Sequence, residues 1–266
     1  MAYRLLDGLD FDISASAGWY SAIAGLLAGF ALLAILLPLD HEAESADDRS
    51  VADSVVIFTC AFFTLLILGF SYAVLAGRTG EGPAAAVAAH EQLLNGAVFG
   101  LASLLLLFGL RSVLSAYSVN STVFGAARNV MLVVTATLGP LVALSLQFSN
   151  ALDLERYRLG ATGSSGDRGL DGLPTGVWIN LSITAAALLA VVGLALLRRR
   201  LPRSLRAARY VAMGTLGLAV AVTMWSSLAV PLLPTELVTS AVFEHVTLGG
   251  TALGTVIVAA AAWAAR

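Results

Sequence analysis

The chain has 266 residues, of which 58% are hydrophobic and only 12% are charged, and its formal net charge is −2 at pH 7. Soluble globular domains carry about 25% charged residues, so this composition excludes that class. The near-balance of positive and negative charges also argues against a nucleic acid as the main partner, because binding a nucleic acid requires a strongly basic surface.

Two residue types are informative through their scarcity. Every basic residue is arginine, since the sequence contains no lysine. A Schiff base to retinal is therefore impossible. Cys60 is the only cysteine, which excludes an intramolecular disulfide and a Cys-x-x-Cys redox pair. The first apolar run is preceded by Asp7, Asp10 and Asp12 and lacks a basic n-region, so we expect it to be retained and not cleaved as a signal peptide.

Long apolar runs dominate the sequence. A helix needs about 20 apolar residues to cross the hydrocarbon core of a bilayer. Seven such runs predict an all-α, polytopic membrane protein, a seven-transmembrane-helix bundle with residues 1–266 as a single transmembrane domain. The predicted spans are 18–38, 54–76, 91–110, 127–148, 176–197, 209–231 and 243–264. Residues 111–120 are predicted to form a polar linker, and residues 151–175 the longest loop.

The arginines predict the orientation of the spans. Cytoplasmic connections carry an excess of basic residues, which favours an N-terminus outside and a C-terminus in the cytoplasm. The connection from Arg198 to Arg209 is then cytoplasmic, and it is a candidate binding site for anionic lipids. In this orientation the cytoplasmic arginines are Arg49, Arg111, Arg128, Arg198, Arg199, Arg200, Arg203, Arg206, Arg209 and Arg266.

The first three and last three spans can be overlaid with a constant shift. Phe70-Ser71 then falls on Trp225-Ser226, and His90 falls on His245. The overlay predicts a parallel 3+1+3 repeat with the fourth helix as a linker, an arrangement used by some small-solute transporters.

Two known groups share this seven-helix outline. Residues 243–250 resemble the last helix of microbial opsins, but Leu248 stands where their retinal lysine would lie. The small sugar transporters with 3+1+3 topology usually carry a Pro-Gln pair in their repeats, and this chain has none. We therefore assign no family.

Ionisable residues occur at the start of two predicted spans. His90-Glu91 begins the third span and Glu244-His245 the seventh, and the two spans run in the same direction. If these helices are neighbours, the four side chains could bind a divalent metal, His90 and His245 could hold a haem, or the histidines could relay protons. The alternative is that these residues bind no ligand and only stabilise the helix starts, because a carboxylate in a first helical turn interacts favourably with the helix macrodipole.

The fourth span supplies candidates for a transport path. Pro140 removes a backbone donor and frees a carbonyl group. Arg128, Asn129 and Gln147 lie on the same helix. Glycine pairs on helices one, three and seven, such as Gly25 and Gly29, predict that these three helices form a tight central group.

Transport of a small solute, ion or proton across the plasma membrane is the leading functional hypothesis. The first alternative is a haem- or metal-bearing or structural subunit that packs against membrane-protein partners or forms a homo-oligomer. A second alternative is a lysine-less seven-helix sensor. An enzyme is the least favoured class, because no nucleophile–base pair is evident from the spacing.

Overall fold

The computed structural model describes residues 12–40, 48–78, 83–117, 122–162, 174–201, 204 and 206–264, and this part of the chain is all-helical. Its first four helices are α1 (Ile13–Asp40), α2 (Asp48–Ala76), α3 (Pro83–Tyr117) and α4 (Thr122–Val133 and Gly139–Thr162, joined by a π-helical turn at Val134–Leu138). The remaining three are α5 (Thr175–Leu196), α6 (Arg206–Met224, continued by a π-helical turn at Trp225–Ala229) and α7 (Ala241–Ala264). Short helical turns at Arg198–Arg200, Val230–Leu232 and Thr235–Val238 lie between them.

All seven helices are long and apolar enough to cross a bilayer, within the residues that the structure describes. The shortest of these segments, Thr175–Leu196, has 22 residues and a mean hydropathy of 2.2. Such a helix satisfies its own backbone hydrogen bonds, which is the requirement for a lipid-exposed segment. The prediction of an all-α protein is confirmed for the described residues, and its seven long helices have the length and hydropathy that membrane spans require.

Two of the predicted connections are wrong in their first parts, because the helices continue into them; residues 118–120 and 163–173 lie outside the described residues. Residues 111–117 belong to α3, and residues 151–162 belong to α4. The sequence of the second segment is rich in Ala, Leu, Glu and Arg, which are good helix formers. Ala151 and Leu154 are fully buried against neighbouring helices, so packing stabilises this part of α4 beyond the apolar run.

Helix α3 occupies the centre of the bundle and packs against α1, α2, α4, α6 and α7. Helix α1 lies at the periphery, against α2 and α3. No neighbouring atom lies within 4 Å of a Cβ placed on Gly25 or Gly29, so the lack of a side chain at these two positions is not required for helix packing. The prediction that helix one belongs to a tight central group with helices three and seven is therefore wrong.

The packing gives no support to a 3+1+3 repeat. Helices α1 and α2 share the largest interface of the bundle. Their counterparts in the overlay would be α5 and α6, but α6 packs chiefly on α2, and α5 packs on α4 and α7.

Two helices contain a π-helical turn at the same distance before a proline. In α4 the Gly139 N–H donates to the Val134 carbonyl, and Pro140 follows. In α6 the Val230 N–H donates to the Trp225 carbonyl, and Pro231 follows. Proline supplies no N–H, so a wider turn before it relieves the clash with the preceding carbonyls. Such turns are frequent at functional sites.

Candidate functional site

Polar side chains are buried between α4, α5 and α7, where these helices pack beside the glycines of α3. All of them are less than 9% exposed, although the surrounding helix surfaces are apolar. Polar residues at membrane depth are costly and tend to be functional. We call this set the polar layer: Gln147, Asn150, Asn180, Thr184, Glu244 and Thr255.

Hydrogen bonds join the helices within the polar layer. Asn180 Nδ2 on α5 donates to Glu244 Oε1 on α7. Gln147 Nε2 on α4 donates to Thr255 Oγ1 on α7 at 3.4 Å. Glu244 and Thr255 are eleven positions apart in the sequence, so these contacts extend over about 16 Å of α7 at the helical rise of about 1.5 Å per residue.

Two glycines of α3 make room for the layer. A Cβ placed on Gly96 would collide with the Asn150 side chain, and one placed on Gly100 would lie 3.8 Å from Gln147 Nε2. The absence of side chains at these positions lets α4 present its amides close to the α3 backbone. The glycine pair on α3 therefore packs against α4.

Several polar atoms in the layer have no hydrogen-bond partner among the described residues. They are Gln147 Oε1, Asn180 Oδ1 and Thr184 Oγ1. Leaving such a group unpaired in an apolar environment costs about 1–3 kcal/mol, so native proteins pair buried polar atoms with protein, water or ligand. The two amide oxygens accept hydrogen bonds and the hydroxyl can accept or donate, so the layer offers mainly acceptors to a small molecule.

Apolar clusters flank the inner part of the layer, around Gln147 and Thr255, on both sides. On the side of the Arg198–Arg200 turn lies the apolar floor, formed by Leu104, Ala143, Leu144, Val191, Val258 and Ala259. On the other side lies the apolar roof, formed by Ala89, Leu93, Ala151, Leu154 and Leu248. Gln147, Asn150 and Thr255 are thus enclosed between two dry clusters.

An ion pair stands beside the roof. Arg78, just after α2, donates through Nη1 to Glu91 Oε1 on α3. The Glu91 side chain is only 4% exposed, whereas the Arg78 side chain is 37% exposed. The guanidinium therefore compensates a carboxylate that would otherwise be buried alone.

His90 and Glu244, which were predicted to converge on one ligand, contact different partners. His90 is fully buried, and the α7 ring that lies against it, with centroids 4.5 Å apart, belongs to Phe243. Glu244 binds Asn180, as described above. No group of three or more His, Cys, Asp or Glu side chains within the described ranges is placed to hold a metal ion.

The predicted path residues on α4 separate into two pairs. Gln147 and Pro140 are buried, and Gln147 belongs to the polar layer. Arg128 and Asn129 are exposed on the bundle surface, so we do not include them in the site. Thr184 and Thr255 were not singled out from the sequence, because isolated threonines in apolar helices carry no distinguishing pattern.

Several arginines lie at the end of the bundle that is remote from the roof. Arg198, Arg199 and Arg200 are exposed, and the Arg198 guanidinium lies 5.3 Å from the centre of the Trp263 ring. Ser204 N–H donates to the Ala264 carbonyl at 3.1 Å, which ties this connection to the end of α7. Arg203 lies outside the described residues.

No protein-family model, curated protein or solved structure matches this chain. The functional argument therefore depends on the geometry of the bundle alone.

Proposed function

We propose that this protein is a membrane transporter that binds a small polar solute in the polar layer. The observation that carries the proposal is the set of buried, unpartnered oxygens of Gln147, Asn180 and Thr184. A solute with O–H or N–H donors would satisfy these acceptors in turn, because the contacts of Gln147 and Asn180 with α7 lie about 16 Å apart. Water would occupy them between transport events.

The clusters around the layer favour a transporter over a channel. A channel needs a continuous wetted path, whereas the roof and the floor separate Gln147, Asn150 and Thr255 from both ends of the bundle. A site enclosed on both sides corresponds to an occluded state, from which one cluster must open at a time. The π-helical turn before Pro140 lies on the floor side of Gln147 and supplies a place where α4 can bend.

The orientation is part of the same proposal. We place the Arg198–Arg200 turn in the cytoplasm, where its exposed guanidinium groups bind anionic lipid headgroups at about 1 kcal/mol per arginine. The roof then faces the exterior. A plasma membrane, whose cytoplasmic leaflet is the more anionic, would suit this orientation.

Flux into proteoliposomes tests the proposal with a matched pair of variants. Thr184→Val removes a hydroxyl from the polar layer, and Thr215→Val removes one from α6, where Oγ1 is already bonded to the Val211 carbonyl. Both threonines are 4% exposed. The probes are glycerol, erythritol and urea, followed by light scattering, and protons, followed by an enclosed pH dye.

We expect at least one probe to enter faster than into protein-free liposomes, and Thr184→Val to slow that entry about tenfold, which corresponds to about 1.4 kcal/mol. Thr215→Val should retain the parental rate. A rate equal to that of empty liposomes for every probe would refute transport, and equal rates for the two variants would refute the polar layer as the site.

A further inference from the structure

His90 is a buried titratable residue that the polar layer does not use. Its side chain is 0% exposed, and neither Nδ1 nor Nε2 has a hydrogen-bond partner among the described residues. A neutral imidazole has one donor and one acceptor, and burying both unpaired is expensive. The position of this ring therefore calls for a ligand or a water molecule.

Two aromatic rings form a row from the lipid-facing surface to this imidazole. Trp225 on α6 is 37% exposed, and its ring is stacked on Phe243 at a centroid distance of 5.9 Å with an interplanar angle of 10°. Phe243 in turn contacts His90 at 4.5 Å. Trp225 and Phe243 are parallel, whereas the planes of Phe243 and His90 are 54° apart. An exposed aromatic face favours stacking with a flat, conjugated ligand.

The row lies at a seam between α6 and α7 that faces outward. Large apolar side chains on both helices are more than half exposed around it, as expected for a lipid-facing surface: Met224, Leu228, Val242 and Val246. A ligand dissolved in the bilayer can therefore reach Trp225 without passing through water.

The local backbone also differs from a regular helix at this point. Trp225 is the first residue of the π-helical turn in α6, and the hydroxyl of the adjacent Ser226 is buried without a partner in the described part of the chain. Single π-helical turns often mark ligand sites. Two unpartnered polar groups thus accompany the aromatic row.

We propose that this seam binds a lipid-soluble quinone or a similar planar carbonyl compound. The conjugated ring stacks on Trp225, and a carbonyl oxygen accepts a hydrogen bond from the His90 N–H once the Phe243 ring rotates aside. Neutral ligands fit best, because the carboxylate of Glu91, next to His90 in the sequence, is already paired with Arg78. This site uses α6 and not the polar layer, so the inference is independent of the proposed transport.

Quenching of tryptophan fluorescence in nanodiscs tests the site. The probes are 1,4-naphthoquinone and naphthalene, which share a planar shape but differ in their carbonyl groups. We expect naphthoquinone to produce a saturable component of quenching that is lost in Trp225→Phe. The same substitution at Trp19, which is 73% exposed on α1, should leave that component unchanged.

The hydrogen bond is tested at His90. His90→Phe keeps a flat ring but removes the donor, so the dissociation constant of naphthoquinone should rise about tenfold, while that of naphthalene stays unchanged. His90→Gln retains an N–H donor and should bind within about threefold of the parent; it also serves if the Phe variant does not fold. Purely linear quenching, or equal affinity of naphthoquinone for all three proteins, would overturn the proposal.

Discussion

At the scale of single residues, the buried polar groups fall into those that have a hydrogen-bond or ion-pair partner and those that retain unpartnered atoms. Glu91 is compensated by Arg78, and Glu244 accepts a hydrogen bond from Asn180. Gln147, Thr184 and His90 retain polar atoms without a partner in the described chain. The first group is expected to stabilise the fold, and the second to bind ligands.

The ion pair can be tested by a double-mutant cycle. Arg78→Ala leaves the Glu91 carboxylate uncompensated in the protein interior, so the free energy of unfolding should fall by about 1–3 kcal/mol. This value is below that for a fully buried pair, because Arg78 is partly exposed. Adding Glu91→Gln to Arg78→Ala should recover most of the loss, since no charge then remains buried.

Unfolding in mixed micelles, followed by circular dichroism, measures each corner of the cycle. Arg206→Ala, at an exposed arginine of α6, controls for the loss of a surface charge. A coupling energy near zero would show that the pair has no stabilising role.

The sequence was informative about the residues of the site only in part. Glu244 and Gln147 could be predicted, because a charged or amide side chain inside an apolar run is conspicuous. Their partners could not, since the bond between Asn180 and Glu244 joins residues 64 positions apart. Hydropathy along the chain contains no information about which helix faces which.

At the scale of helices, close contacts depend on a few glycines. A Cβ on Gly109 of α3 would lie 2.8–3.0 Å from three atoms of the Phe58 ring on α2. Phe58 is 1% exposed and has little room to move. Gly217 of α6, by contrast, has no neighbouring atom within 4 Å of such a Cβ.

These two glycines provide a matched test of helix packing. Gly109→Ala should lower the free energy of unfolding by about 1–3 kcal/mol, because α2 and α3 must separate or Phe58 must leave its rotamer. Gly217→Ala should be neutral or stabilise by up to about 1 kcal/mol, because alanine is the better helix former. Thermal unfolding of both variants in the same detergent measures the difference, and equal stabilities would contradict this packing.

Helix existence was predictable from the sequence, whereas helix ends were not. Seven apolar runs are sufficient to predict seven spans, since each run is long enough to cross a bilayer. The extension of α4 to Thr162 depends on the burial of Ala151 and Leu154 against other helices. Tertiary contacts of this kind are invisible to a hydropathy profile.

At the scale of the whole molecule, the two ends of the bundle differ in chemistry. One end has the roof, the Arg78–Glu91 pair and the polar layer beneath them. The other end has the floor and the exposed arginines at Arg198–Arg200. If the protein is the transporter proposed above, we expect the polar layer to be hydrated from the side of the roof when the roof opens.

Access to the layer can be measured with engineered cysteines, because Cys60 is the only native one. In a Cys60→Ser background, Thr184→Cys reports on the polar layer, and Val191→Cys reports on the floor about two helical turns deeper in α5. A small, charged methanethiosulfonate is applied separately to each face of sealed vesicles. We predict that Thr184→Cys reacts from the face opposite the Arg198–Arg200 turn and that Val191→Cys reacts from neither face. Failure of Thr184→Cys to react from either face, or equal reaction at both positions, would contradict the account.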